Sequence, residues 1–213
     1  MNYLTVALSK GRLARETLKL FAKSGLVHEE IIEDSRKLIF VDEEKKMKYF
    51  LAKSTDVPTY VEYGAADLGI SGGDVLLEEG RNLYEVMDLG IGKCHMVVAG
   101  FAEMREKFEH ANNIRVSTKY PNIAKRHFYQ KHRQAEIVYL NGSVELGPIV
   151  GLSDVIVDIA ESGATLRENG LVVFEEICDI SARLVVNRVS MKMEYERITD
   201  LIKKLKLETR IPV

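Results

Sequence analysis

The stretch DVIVDIAESGATLRENG, residues 154–170, joins a strand to a helix through a glycine turn. Val155, Ile156 and Val157 are β-branched and apolar, and Asp154 and Asp158 bracket them. That is strand composition. Ser162, Gly163 and Thr165 then interrupt the run, and residues 164–169 read as a helix. A strand that hands over to a helix through so short a loop is half of a βαβ unit.

The same alternation runs outward in both directions. Apolar runs at 3–8, 67–71, 84–89, 95–100, 114–118, 136–140, 171–175 and 183–189 read as strands. Residues 37–41 and 48–52 read as two strands about a charged turn. Helices are expected at 12–24, 74–79, 121–131, 144–150 and 193–206. In the first of them Ala14, Leu18 and Phe21 fall on one face, and Gly25 sits where a C-cap glycine belongs. Another helix should follow Asp56 as N-cap, with Pro58 inside it and Gly64 closing it. The fold class is therefore α/β with mainly parallel sheets. So many short strands in 213 residues suggest two smaller lobes.

In open α/β sheets ligands bind beyond the carboxyl ends of the strands, so the loops there are read for chemistry. Gly163 lets the backbone approach an anion closely. The hydroxyls of Ser162 and Thr165 and the first helix amides can donate to phosphate oxygens. Asp158 can accept hydrogen bonds from vicinal ribose hydroxyls. Ser162-Gly163 alone is equally a plain turn, and Thr165 a plain helix-start residue. The order strand, acid, glycine loop, helix points to a ribose 5-phosphate.

Composition bounds the partners. Thirty Lys and Arg against 32 Asp and Glu give a net charge of −2, so no basic face for nucleic acid or membrane surfaces is expected. Cys94 and Cys178 form no CxxC pair and read as small buried hydrophobes in a reducing cytosol. The start of the chain has no signal-peptide pattern and no apolar stretch reaches the length of a span, so a cytoplasmic protein is expected. His127 and His132, five apart on a helix, read as surface residues and not as paired metal ligands.

The pattern Glu145-x5-Gly151-x-Ser153-x2-Ile156-x-Asp158-Ile159-x2-Ser162-Gly163-x-Thr165-Leu166 resembles the signature of the ATP phosphoribosyltransferase family. LSKGRL (8–13), DVPTYVEYGAADLGISGGD (56–74), DLGIGKC (88–94), TKYPNIA (118–124) and NGSVELGP (141–148) resemble further family segments in the same order. Other phosphoribosyltransferases place two adjacent acids before a similar loop, whereas here Ile159 follows Asp158.

The resemblance implies two α/β lobes related to type II periplasmic binding proteins, with the active site in the interlobe cleft. Lobe one would span 1–91 and 180–213, and lobe two 92–179. The implied reaction moves phosphoribosyl from phosphoribosyl pyrophosphate (PRPP) to N1 of ATP, releasing pyrophosphate with Mg²⁺, at the entry to histidine biosynthesis. Asp158, Glu161, Ser162, Gly163, Ala164, Thr165 and Leu166 would hold the phosphoribosyl group, with Glu145 a second carboxylate for ribose hydroxyls or Mg²⁺. Lys10 and Arg12, with Gly11 between them, would meet phosphates at a helix start. Arg36 and Lys53 would do the same, although many family members carry arginine where this chain has Lys53, and lysine lacks the bidentate fork. Gly72 and Asp74 would lie against the nucleotide or pyrophosphate. The chain resembles the family's short form, which implies a regulatory subunit resembling histidyl-tRNA synthetase and a catalytic dimer within a hetero-oligomer. A fold of this class also serves non-catalytic solute receptors, and a phosphoribosyltransferase could take a free base in place of ATP. Turnover separates the first rival, and competition by a free base the second.

Overall fold

The computed structural model describes residues 3–28 and 37–209. The chain forms two compact units. Unit 1 comprises the described residues up to Leu76, Gly80–Gly92, and those from Ser181 onward. Unit 2 comprises Leu77–Glu79 and Lys93–Ile180.

Unit 1 contains β1 (Leu4–Ser9), α1 (Arg12–Lys23), β2 (Ile39–Asp42), β3 (Met47–Ala52), α2 (Val57–Glu62), β4 (Leu68–Gly72), most of α3 (Gly73–Glu79) and β5 (Tyr84–Asp88). It is completed by β11 (Ala182–Val186), α8 (Ser190–Met193) and α9 (Tyr195–Thr209). Its sheet runs in the order β2-β3-β1-β4-β11-β5. Leu4, Val6 and Leu8 point to the side where Ala14, Leu18 and Phe21 of α1 and Ile198, Leu201 and Leu205 of α9 are buried. Alternate residues such as Ala7 meet Val57 and Val61 of α2 on the opposite face. This is the period of two on the strand meeting the period of 3.6 on the helices. Helix α1 ends as its sequence dictates: Gly25 takes φ 66°, and the amides of Gly25 and Leu26 return to the carbonyls of Ala22 and Phe21.

Unit 2 contains β6 (Cys94–Phe101), α4 (Arg105–His110), β7 (Asn113–Thr118), α5 (Pro121–Gln130), β8 (Gln134–Tyr139), α6 (Leu146–Ile149), β9 (Val155–Ala160), α7 (Ala164–Glu168) and β10 (Leu171–Ile180). Its sheet order is β10-β6-β9-β7-β8. One face packs on α5 through Ile123, Ala124 and Phe128. The other packs on α7 through Leu166.

Several expectations are corrected. The sheets are mixed. Pairs β1–β3, β1–β4, β7–β8 and β7–β9 are parallel, while β2–β3, β4–β11, β5–β11, β6–β9 and β6–β10 are antiparallel. Helical crossovers enforce the parallel pairs. Strands joined by tight turns or returning over long separations carry no such constraint. Asp56 makes no side-chain cap bond; a 3-10 turn at Ser54–Asp56 leads into α2 instead. The expected last helix is α9, and the short α8 that precedes it was not expected. Helix α4, too short and too charged to show periodicity, was not expected. His127 is buried, with Nε2 2.8 Å from Glu175 Oε2, because its ring turns inward against β10. His132 takes φ 55° in the turn after α5. Cys94 and Cys178 are only half-buried, and burial with nearby Asp179 raises the Cys178 pKa.

Candidate active site

In unit 2, β8, β7 and β9 run side by side in one direction, with Thr118 level with Tyr139 and Val157. Their carboxyl ends therefore share one edge, and the loops after them open there. The exit from β7 is fixed by Thr118, whose buried Oγ1 donates to the Val157 carbonyl at 2.6 Å and accepts from the Tyr120 amide at 2.8 Å. Gly147 in α6 packs directly on this frame. A Cβ there would lie 2.2 Å from Ser117 Oγ and 2.7 Å from Ser153 Oγ. Gly147→Ala is expected to lower stability by about 1–3 kcal/mol. The check is the urea midpoint at unchanged slope; a wild-type midpoint would mean the two hydroxyls simply move aside.

Asp158 lies within β9 and not at its end, since the strand continues to Ala160. It stands opposite Val97, and Ala160 stands opposite His95. Directly opposed residues in a ladder share a face. This face holds Val97, Ala99 and Ile156, and Leu166 of α7 packs on it. Helix α7 thus brings the Glu161–Thr165 loop to the same face as Asp158. The turn is set by Gly163 at φ 69°, a left-handed conformation that costs glycine nothing. The Ala164 amide donates to Ser162 Oγ at 3.3 Å, and Arg167 Nη1 donates to the Ser162 carbonyl at 2.9 Å. Glu161, Ser162, Ala164 and Thr165 are exposed and Gly163 is half-buried. The Leu166 side chain is core, at 6% exposure, so only its amide faces the loop as a possible ligand group. Glu145 is half-buried at the start of α6 and makes no side-chain cap bond.

The roles of two residues of this unit escaped the sequence reading. His95 Nδ1 is 2.8 Å from Asp179 Oδ1. Strand alternation around residues 94–101 was visible, but the partner strand across the sheet was not. Asp154, just before β9, is a structural anchor: it accepts from Lys107 Nζ at 2.7 Å and from the Arg115 amide at 2.9 Å. Burial alone would raise its pKa, but these donors outweigh it and hold the carboxyl below the usual range. Glu175 is lowered by the same balance, with Lys131 and His127 as donors, while burial lowers His127 despite that carboxylate. A cavity of about 800 Å³ at the outer edge of this sheet is lined by Asn113, Lys125, Tyr129 and Gln134. It lies at the amino ends of β7 and β8, away from the loops.

In unit 1 the parallel neighbours β3, β1 and β4 place Ser9 level with Ala52, and Leu8 level with Ile70. The segments Lys10–Arg12, Lys53 and Gly72–Asp74 therefore leave the sheet at one edge. The Lys10 amide donates to the Ala52 carbonyl at 2.8 Å. Gly11 takes φ 94° and ψ −145° just before α1, a conformation open to glycine. Lys10, Arg12 and Lys53 are exposed, with Arg12 Nε 3.6 Å from Glu16 Oε1. Gly72 leaves room for the Asp74 carboxylate, which a Cβ would meet at 2.2 Å. At the same edge Asp88 accepts from Ser181 Oγ and the Gly90 amide, both at 2.8 Å, with Arg183 Nη1 3.3 Å away. Arg36 lies outside the described residues. Among the described residues no group of three His, Cys, Asp or Glu side chains is placed to hold a metal ion. No helix among them is long and apolar enough to cross a membrane.

The arrangement offers cations and a helix start beyond one sheet, and hydroxyls, amides and carboxylates beyond the other. Comparison with known proteins gives it a context. The model of the ATP phosphoribosyltransferase family matches residues 53–207. An ATP phosphoribosyltransferase of Lachnoclostridium phytofermentans is 60% identical over 208 residues, 97% of each chain. Another, of Ruminiclostridium cellulolyticum, is 61% identical over 203 residues, 95% of each chain. Among solved structures, a chain of the ATP phosphoribosyl transferase (HisG:HisZ) complex from Thermotoga maritima superposes with a TM-score of 0.81 at 34% identity, covering 97% of this chain and 98% of that one. The periplasmic aliphatic sulphonate binding protein SsuA from Escherichia coli has a TM-score of 0.63 at 12% identity, over 98% of this chain and 73% of that one, a likeness of fold alone.

Proposed function

The chain belongs to the ATP phosphoribosyltransferase family, and we propose that it transfers phosphoribosyl from PRPP to N1 of ATP, the first step of histidine biosynthesis. The observation that supports this most is the placement of Asp158 and the Glu161–Thr165 loop on one face at the carboxyl edge of the unit 2 sheet. In this reading Asp158 accepts hydrogen bonds from the ribose hydroxyls. The hydroxyls of Ser162 and Thr165, with the amides of Gly163, Ala164, Thr165 and Leu166, donate to the 5-phosphate. Glu161 and Glu145 flank the ribose.

Adenine N1 is a weak nucleophile, and the anomeric carbon develops positive charge as pyrophosphate leaves. The protein's work is alignment and charge stabilisation. Lys10, Arg12 and Lys53 are the cations for the departing pyrophosphate and the ATP phosphates, with Gly11, Gly72 and Asp74 shaping the approach and Arg36 as a further candidate. Lysine at position 53 supplies a point charge and not a planar fork, which stabilises a rotating leaving group less directionally. Mg²⁺ enters with the substrate phosphates: it binds such groups through one or two carboxylates while keeping several waters, and Asp158, Glu145 and Glu161 are donors of that kind. A regulatory subunit resembling histidyl-tRNA synthetase, a catalytic dimer within a hetero-oligomer, and a cytoplasmic setting belong to the same reading. The likeness to a chain of the HisG:HisZ complex supports the partner.

The test is direct. Purified chain, ATP, PRPP and Mg²⁺ are mixed with a pyrophosphatase, with and without the synthetase-like subunit, and phosphoribosyl-ATP is followed by absorbance and mass. Product that requires both substrates is the expected result. A folded chain that binds small anions yet makes no product, even with the partner, would overturn the assignment.

A further inference from the structure

Three ionisable side chains stand on one face of three neighbouring strands. Asp158 on β9 is level with Val97, His95 on β6 is level with Ala160, and Asp179 on β10 is level with His95. His95 is therefore one strand over from Asp158 and one pleat nearer the carboxyl edge of β9. Adjacent strands lie about 4.8 Å apart. If Asp158 holds the vicinal hydroxyls, the anomeric carbon is bonded to the carbon bearing one of them. The group on the next strand is then within reach of the base attached there. His95 has the geometry of an oriented imidazole: Nδ1 lies 2.8 Å from Asp179 Oδ1, and in the tautomer whose Nδ1–H donates to that carboxylate Nε2 is an acceptor. The ring is half-exposed, with its side chain 49% accessible, so a ligand can reach it.

Resting on the function proposed above, we propose that His95 Nε2 accepts a proton from the 6-amino group of the adenine during transfer, with Asp179 as its positioning residue. The chemistry needs such an acceptor. As the N1 lone pair forms the bond to C1′, the bond from C1′ to the pyrophosphate oxygen breaks and its electron pair leaves with pyrophosphate. The purine then carries a positive charge spread over N1, C6 and the amino nitrogen, and that nitrogen becomes acidic. Loss of its proton to His95 Nε2 gives a neutral base and an imidazolium, which Asp179 stabilises. The same acceptor recognises the amino group before reaction, so it also discriminates against a 6-oxo purine, whose N1 bears a hydrogen. The charged groups facing His95 are Asp179 and Glu176 from β10, Asp158 from β9 and Glu161 after it. Lys93 lies just before its strand. Arg167 of α7, over the same face, is engaged by the Ser162 carbonyl.

The test is the pH profile of kcat/KM for ATP at saturating PRPP, with the full chain and its synthetase-like partner. The wild type should lose activity as pH falls. His95→Gln should lower the rate by about 10²-fold and abolish that acidic limb, and Asp179→Asn should lower kcat while leaving KM for ATP little changed. Binding of ribose 5-phosphate, measured by calorimetry, should be unchanged in both. A His95→Gln enzyme with wild-type rate and profile would overturn the proposal. So would a loss matched by an equal loss of ribose 5-phosphate affinity, which would make the role structural. If His95→Gln fails to fold, Asp179→Asn decides by the same readouts. Failure of the function itself looks different: the wild type would then make no phosphoribosyl-ATP at all.

Discussion

Asp158→Ala is expected to reduce kcat for phosphoribosyl-ATP formation by about 10²–10³-fold and to leave stability within about 0.5 kcal/mol of wild type. The carboxylate is half-buried near the carboxyl edge of its sheet, on the face where the Gly163 turn sits. Its neighbours along the strand, Ile156 and Val157, are fully buried and supply the packing. Truncation removes an acceptor for the ribose hydroxyls and the negative charge beside the carbon that turns positive in the transition state. The measurement is steady-state kinetics together with a urea midpoint. Wild-type activity would sink the ribose assignment, and a large midpoint shift would recast Asp158 as a folding residue.

Asp154→Ala, only a few residues earlier, is expected to show the opposite pattern, with stability falling by about 2–4 kcal/mol. This side chain is 7% exposed and is the acceptor for the Arg115 amide and for Lys107. Removing it orphans a backbone donor at the β7–β9 junction. The half-exposed Lys107 regains water and contributes less to the cost. The folded pKa of Asp154 is depressed, so its contribution is present above the unfolded value and is lost as pH falls through the folded one. Wild-type chain should therefore lose more stability than the variant on acidification below about pH 4. Parallel acid titrations of the two by circular dichroism would show it, and coincident curves would refute it.

The two aspartates illustrate what a sequence discloses. The run from 154 to 159 announces a strand, and the order acid, serine, glycine, threonine announces a phosphate loop, because both signals are local. Lys10, Gly11 and Arg12 after β1, Lys53 after β3 and Gly72 after β4 were each legible as loop residues for the same reason. That all of them leave one sheet edge depends on the order β3-β1-β4, which arises from pairing between distant segments. The His95–Asp179 contact spans 84 positions and the His127–Glu175 contact spans 48. Nothing within a helical turn or a strand pleat of these histidines marks their partners. His127 was misplaced because a histidine amid Lys125, Arg126 and Tyr129 looks like surface until β10 is laid against it. The mixed sheets were missed for a similar reason: the direction of β10 and β11 follows from the path of the chain and not from their composition.

Strand β11 lies between β4 and β5, yet it is made from residues 182–186, after the whole of unit 2. Leu184, Val185 and Val186 are buried there. During synthesis, then, the first sheet must wait. The bulk of unit 2, Lys93–Ile180, can close while β4 and β5 stand with facing edges unpaired and an apolar gap between them. A chain released at residue 180 would have a complete second sheet and an open, sticky first one. The late strand is the piece that protects the nascent chain from joining its neighbours edge to edge.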